Sequence, residues 1–296
     1  MMAPEYYVFT GGERIPDHVT HVLIDKALNF VCGRTFENHP NIQEVICHDG
    51  VEKIEEHAFH RCRSLRRVIM PGVKIVERGA FRICRALSYI ECGKLEIIGE
   101  EVFIFCFSLN SIDLPSIKIV DGHAFASCLN LVNVKFGKDL ELIRRSAFRS
   151  CRLERISLPL KDGVITDDNT FQACENLNHV DLDEGVHETI GAFLMEEWKN
   201  DMHEEIDAIN EILPHTSAGR ISANREMGPS DPGEKTQAIR TWIASVLRKI
   251  IRYKAEHRRY LNEAAATLQL ALPNDIVFKN ILPFVELPAY TFDGED

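Results

Sequence analysis

Val51-Glu52-Lys53-Ile54-Glu55-Glu56-His57-Ala58-Phe59-His60-Arg61-Cys62-Arg63-Ser64-Leu65-Arg66-Arg67-Val68-Ile69-Met70-Pro71-Gly72 is the stretch that decides the fold, because most of its apolar positions recur along the chain. Its phenylalanine belongs to a column at Phe36, Phe59, Phe81, Phe103, Phe125, Phe148 and Phe171, at intervals of 23, 22, 22, 22, 23 and 23 residues. Three places after each of these, from the second onward, stands a cysteine: Cys62, Cys84, Cys106, Cys128, Cys151 and Cys174. An aliphatic residue follows at Ile42, Leu65, Leu87, Leu109, Leu131 and Leu177, with Leu153 one place early. Then come the pairs Val45/Cys47, Val68/Met70, Ile90/Cys92, Ile112/Leu114, Val134/Phe136, Ile156/Leu158 and Val180/Leu182. Self-similarity at a fixed period of about 20–50 residues marks a stacked-repeat architecture.

The pattern within the unit carries its own physics. Alternation such as Val68-x-Met70 has period two, so it predicts a short strand with one face buried. Pro71, Gly72, Pro115, Gly137 and Pro159 end that strand and turn the chain. The return segment, with Val51, Ile54 and Phe59 as its apolar groups, suits a loose turn or a short helical piece. So small a unit cannot bury its own apolar side. Stacking units at about 4.8 Å gives each phenylalanine another above and below it.

The string Leu-x-x-Val/Ile-x-Leu/Met-Pro, followed by Ile-x-x-x-Ala-Phe-x-x-Cys, resembles the BspA-like (Treponema-type) leucine-rich repeat over residues 19–193. The resemblance implies an α/β fold: a right-handed solenoid with a short parallel sheet on its concave face. It also implies protein binding, with no shared catalytic residues. Some relatives are cell-surface proteins. Here Met1-Met2-Ala3-Pro4-Glu5-Tyr6 has neither a basic nor an apolar leader region and the chain has no Asn-x-Ser/Thr sequon, so an intracellular protein is expected, cytoplasmic or nuclear.

Ahead of the repeats, Tyr6-Tyr7-Val8-Phe9-Thr10-Gly11-Gly12-Glu13-Arg14-Ile15 reads as a hairpin with a Gly-Gly turn, so residues 1–18 are expected to cap the stack. At the other end, Val186 to Phe193 forms a shortened unit with no cysteine after it, which marks the end of the solenoid.

Three features invite a functional reading. The six-cysteine column could be a redox or metal ladder, since neighbouring rungs fall within disulfide reach; the alternative, adopted here, is small buried thiols filling a narrow slot. His57, His60 and Cys62 lie close together, but Phe59 and Cys62 are repeat positions and the two histidines occupy ordinary repeat slots, so no metal site is assigned. The third is the concave strand face, where residues alternating with the buried pairs point outward. Arg67, Ile69, Tyr89, Glu91, Asp113, Asn133, Lys135, Arg155, His179 and Asp181 are the candidate protein-binding residues, with Ser111 and Ser157 among them. Aromatic, arginine and carboxylate groups on a rigid sheet suit a protein interface. No nucleophile–base arrangement and no Gly-rich phosphate loop is present, so neither catalysis nor a cofactor is expected.

Beyond the repeats the period becomes helical. Trp198, Met202, Ile206, Ile209 and Leu213 predict an amphipathic helix over 194–213, whose other face carries Glu196, Glu197, Asp201, Glu204, Glu205, Asp207 and Glu211. Residues 214–235, rich in Ser, Gly and Pro, read as a flexible linker. Region 236–296 then holds a long helix to about residue 272, a short C-terminal helix and an acidic tail. The long helix is basic, with Arg240, Arg248, Lys249, Arg252, Lys254, Arg258 and Arg259. It either folds back on the acidic helix or pairs with another chain as a homodimeric coiled coil. Leu272-Pro273-Asn274-Asp275-Ile276, followed by Ile281-Leu282, resembles the opening of an F-box. That implies, as the alternative function, the substrate adaptor of a ubiquitin ligase.

Composition narrows the classes. Of 296 residues, 45% are hydrophobic, which is globular usage. No run is long enough for a membrane helix. The net charge of -11 disfavours nucleic acid. The reading is a non-enzymatic module that binds a protein partner on its concave face, with a helical tail for tethering or self-association.

Overall fold

The computed structural model describes residues 5–221, 231–273, 276, 277, 279, 283, 285–288 and 292. Its repeats wind into a parallel solenoid with two strand ladders. The longer strands are β1 (Tyr7–Phe9), β2 (His21–Ile24), β4 (Glu44–Ile46), β6 (Arg67–Ile69), β8 (Tyr89–Glu91), β10 (Ser111–Leu114), β12 (Asn133–Phe136), β14 (Arg155–Leu158) and β15 (His179–Leu182). The shorter are β3 (Phe30–Val31), β5 (Lys53–Ile54), β7 (Ile75–Val76), β9 (Ile97–Ile98), β11 (Ile119–Val120) and β13 (Leu142–Ile143). The short ladder is continuous from β3 to β13, whereas the long ladder divides into β1-β2-β4-β6-β8 and β10-β12-β14-β15.

The return segment is therefore neither loose nor helical. Each of the units from Phe36 to Phe148 adds a two-residue strand and then turns tightly around its phenylalanine. Residues two before and two after that ring take positive φ, as at His57 and Arg61, Glu101 and Phe105, or His123 and Ser127. The left-handed pair turns backbone N–H groups along the stack, so Phe59 donates to the Ala80 carbonyl, Phe81 to Val102 and Phe103 to Ala124. Glycine fills this left-handed slot at Gly79, where a Cβ would lie 2.5 Å from Nδ1 of His57 on the rung below.

Inside, the rings of Phe36, Phe59, Phe81, Phe103, Phe125, Phe148 and Phe171 stack with centroids 4.8, 5.1, 5.5, 5.2, 5.2 and 5.8 Å apart. The cysteine column does more than fill space. Each thiol donates to the phenylalanine carbonyl one rung back: Cys62 to Phe36 at 2.9 Å, Cys106 to Phe81 at 3.2 Å, Cys174 to Phe148 at 3.0 Å. Cys84, Cys128 and Cys151 do the same. Burial pushes the Cys62 thiol up to about 12 and raises those of Cys84, Cys106, Cys128, Cys151 and Cys174. All nine cysteines are free, and Cys32 is exposed.

The N-terminal end differs from expectation. The described part of the cap, residues 5–18, does not form a hairpin: β1 pairs parallel with β2, Tyr7 opposite Val22 and Phe9 opposite Ile24. Gly11 and Gly12, at φ of 102° and 75°, begin a crossover that buries Ile15 and Val19. Parallel pairing puts Phe9 into the core, edge-on to Phe36 at 5.1 Å, so β1 is one more rung. At the C-terminal end the shortened unit is a helix, α1 (Glu184–Gly191), capped where the Asp183 side chain accepts the Gly185 N–H.

The tail closes the solenoid. Helix α2 (Glu196–Ile212) runs antiparallel to α3 (Lys235–Gln269), with Trp242 bonded to the Glu205 carbonyl and Tyr253 to Asp201. Lys249 reaches Asp201 at 3.0 Å and Glu205 at 2.9 Å, so within the chain the basic helix folds back on the acidic one. The stretch read as a flexible linker is anchored at both ends. Ala173 N–H donates to the Ala218 carbonyl, and the Gln172 amide donates to the carbonyls of Arg220 and Asp231. Residues 222–230 lie outside the described residues. So do most of the F-box-like segment and of the short C-terminal helix, and all of the acidic tail at 293–296; Val277 is buried and Ile276 is exposed.

Candidate functional site

The long ladder is the rigid element here, and its register decides which side chains meet. Inward residues such as Val22, Val45 and Val68 are buried, so their neighbours form two outward columns. One runs His21, Glu44, Arg67, Tyr89 and, beyond the break between β8 and β10, Ser111, Asn133, Arg155, His179. The other runs Val8, Leu23, Ile46, Ile69, Glu91 and then Asp113, Lys135, Ser157, Asp181. All ten residues singled out from the sequence stand in these columns.

The two halves of the face differ in chemistry. In the first, Tyr6 donates its phenol to Glu44 at 2.5 Å, Arg67 pairs with the same carboxylate at 3.4 Å, and its guanidinium lies 5.0 Å from the Tyr89 ring centre. That hydrogen bond raises the Tyr6 phenol pKa. In the second, Asp181 is held by His179 at 2.7 Å and Arg155 at 3.5 Å. A shallow groove of about 380 Å³ runs along Asp113, Lys135, Arg155 and Asp181.

The sequence list began at Arg67 and so missed Tyr6, Val8, His21, Leu23, Glu44 and Ile46. The pairs Val22/Ile24 and Val45/Cys47 carried the signal for Leu23 and Ile46, since a residue between two buried ones points outward. Reading residues 1–18 as a hairpin hid Val8. The histidine pair lies elsewhere, on the turns around the phenylalanines. His60 Nδ1 meets Glu37 at 3.0 Å, and His57 Nε2 lies 3.2 Å from Glu56. Burial lowers the His60 pKa against the pull of Glu37.

The model of the BspA type leucine rich repeat region matches six copies, over residues 29–117 and 96–200. The chain belongs to that family. Among solved structures it is similar to a leucine rich cell surface protein from Faecalibacterium prausnitzii, with 28% identity and a TM-score of 0.47, covering 60% of this chain and 49% of that one. A leucine-rich repeat protein from Bacteroides ovatus shows 23% identity and a TM-score of 0.47, over 56% and 43%. The leucine rich repeat protein of T. pallidum shows 24% identity and a TM-score of 0.39, over 60% and 68%. The chain thus spans about half the length of the first two. No curated protein matches it. Among the described residues no helix is long and apolar enough to cross a membrane.

Proposed function

We propose that this chain is a non-enzymatic interaction module whose long-strand face binds a protein partner, the helical tail serving to close and stiffen the solenoid. The supporting observation is the pair of in-register outward columns. They present Tyr89, Arg67, Arg155 and Lys135 on a sheet whose reverse side packs against the core, and a preorganised surface loses little entropy on binding. We further place the module inside the cell, where nine free cysteines persist.

The test is position-specific photo-crosslinking in cells, from residues 67, 89 and 155 on this face and from residues 74 and 118 on the short-strand side. One discrete partner captured from the first set only is the expected result. Capture from the second set alone, or from neither, overturns the reading.

A further inference from the structure

One outward column changes character along its length. Val8, Leu23, Ile46 and Ile69 stand in register on β1, β2, β4 and β6, an unbroken apolar stripe. Val8 is 45% and Leu23 36% exposed, and both isoleucines are half-buried. The next rung places Glu91 in line with Ile69. Across the break in the ladder, β10 brings Asp113 to the same column position. Among the described residues neither carboxylate has an ion-pair partner, whereas Glu44 and Asp181 on the same face do. Like charges on adjacent rungs repel, and it is between these two rungs that the long ladder opens while the short one continues.

We infer that the stripe seats one amphipathic helix of a protein partner, lying along the solenoid axis, with a Lys or Arg at one end placed between Glu91 and Asp113. The inference rests on the partner-binding reading of this face and says which half is used and by what.

Spacing selects the helix. Rungs lie about 4.8 Å apart, so four of them span about 14 Å. A helix returns an apolar residue to one face every turn of about 5.4 Å, so its residues follow the stripe over about 16 Å. A strand returns a side chain to the same face only every ~6.6 Å and falls out of step within two rungs. Charge selects the end group. Among the described residues Glu91 accepts the Tyr89 hydroxyl at 3.5 Å but neither carboxylate has an ion pair; covering them with apolar surface costs free energy, while an ammonium or guanidinium between them makes charge-assisted hydrogen bonds. Beside the stripe, Glu44 and Arg67 already neutralise each other and ask for no further charge. At the opposite end, a groove of about 570 Å³ bounded by Tyr6, Val8, His18 and His21 leaves room for a bulky side chain.

The probes are labelled, hydrocarbon-stapled helices with Leu at alternating three- and four-residue spacing, ending in Lys in one version and in Glu in the other. Binding to the full chain is followed by fluorescence anisotropy. The Lys-ended helix should bind at least about tenfold tighter than the Glu-ended one, and E91K should reverse that order. The double change Leu23→Thr and Ile46→Thr puts a β-branched strand former at both positions and should weaken the Lys-ended probe at least about tenfold. Ile69→Thr alone supplies a second variant if circular dichroism shows the double one unfolded.

No binding of the Lys-ended helix, no charge preference, or binding that survives the threonine changes overturns the inference. Photo-crosslinking of the cellular partner separates this failure from that of the broader reading. A partner captured from residues 133 and 155 but not from 23 or 46 leaves the interaction function standing and removes the helix. Capture from no strand-face position removes both.

Discussion

Between its ends the solenoid satisfies each unit with a copy of itself; at its C-terminal end it uses single side chains that occur once. In the middle, Phe103 N–H donates to the Ala124 carbonyl, and its ring lies between Phe81 and Phe125. At the last rung Phe171 N–H instead finds the Thr236 hydroxyl at 3.3 Å, and Val180 N–H on β15 finds the Asn210 side-chain oxygen at 2.8 Å. Lys235, 3% exposed, sends its ammonium to the carbonyls of Leu177 at 2.5 Å and Leu213 at 2.6 Å. A repeat can propagate by its own chemistry but cannot close by it, because the last unit presents donors and acceptors that no further unit meets.

The widest separation between the two regions should come from their centres. Phe103→Ala removes a fully buried ring from the middle of the stack and should cost about 3–5 kcal/mol in urea unfolding. A melt unchanged from the parent would refute the stacked core.

Lys235→Met keeps the length of the side chain and takes the donor from the buried Leu177 carbonyl, at about 1–3 kcal/mol, whereas the Leu213 carbonyl keeps the N–H and hydroxyl of Thr216. Its signature should be local. Limited proteolysis should release α3 while the repeats stay protected; simultaneous loss of both would show that the cap and the coil unfold as one. Cys106→Ala should cost only about 1 kcal/mol, because the Phe81 carbonyl still accepts the N–H of Cys84. In the native protein a thiol reagent should modify Cys32 quickly and the six column thiols only on unfolding, since burial holds them protonated.

Acid should give the smallest effect and act on the cap first. Hydrogen bonding from Tyr253 lowers the Asp201 carboxyl pKa, and Ser245 with Lys249 lowers that of Glu205. A folded value below the unfolded one means a contribution present above the ordinary carboxylate range and lost as pH falls through the lowered values. The α2–α3 pair should therefore loosen below about pH 4, and Asp201→Asn should flatten that dependence. Trp198 and Trp242 fluorescence reports it, both tryptophans being buried between these elements.

Several residues were legible before any coordinates. Phe36 through Phe171 and the cysteines three places on announced a stacked column, and alternation at Val68-x-Met70 announced which face of each strand is buried. Helix α2 could be read from Trp198, Met202, Ile206 and Ile209. Other features could not be read. Gly11-Gly12 is equally good chemistry for a hairpin or a crossover, and only pairing with β2 distinguishes them. Lys235 looks like any helix-start lysine until two carbonyls from distant residues close on it. Val8 joins the face only because β1 is parallel to β2.

The chain's own periodicity thus determined the solenoid, its phenylalanine and cysteine columns, and the identity of most outward residues, because a repeat places equivalent residues in equivalent surroundings. Tertiary structure alone decided the rest: the division of the long ladder at Glu91 and Asp113, the apolar stripe beside it, and the closure by Thr236, Asn210 and Lys235. Those features depend on what one unit meets across space, and a residue that occurs once carries no period to read.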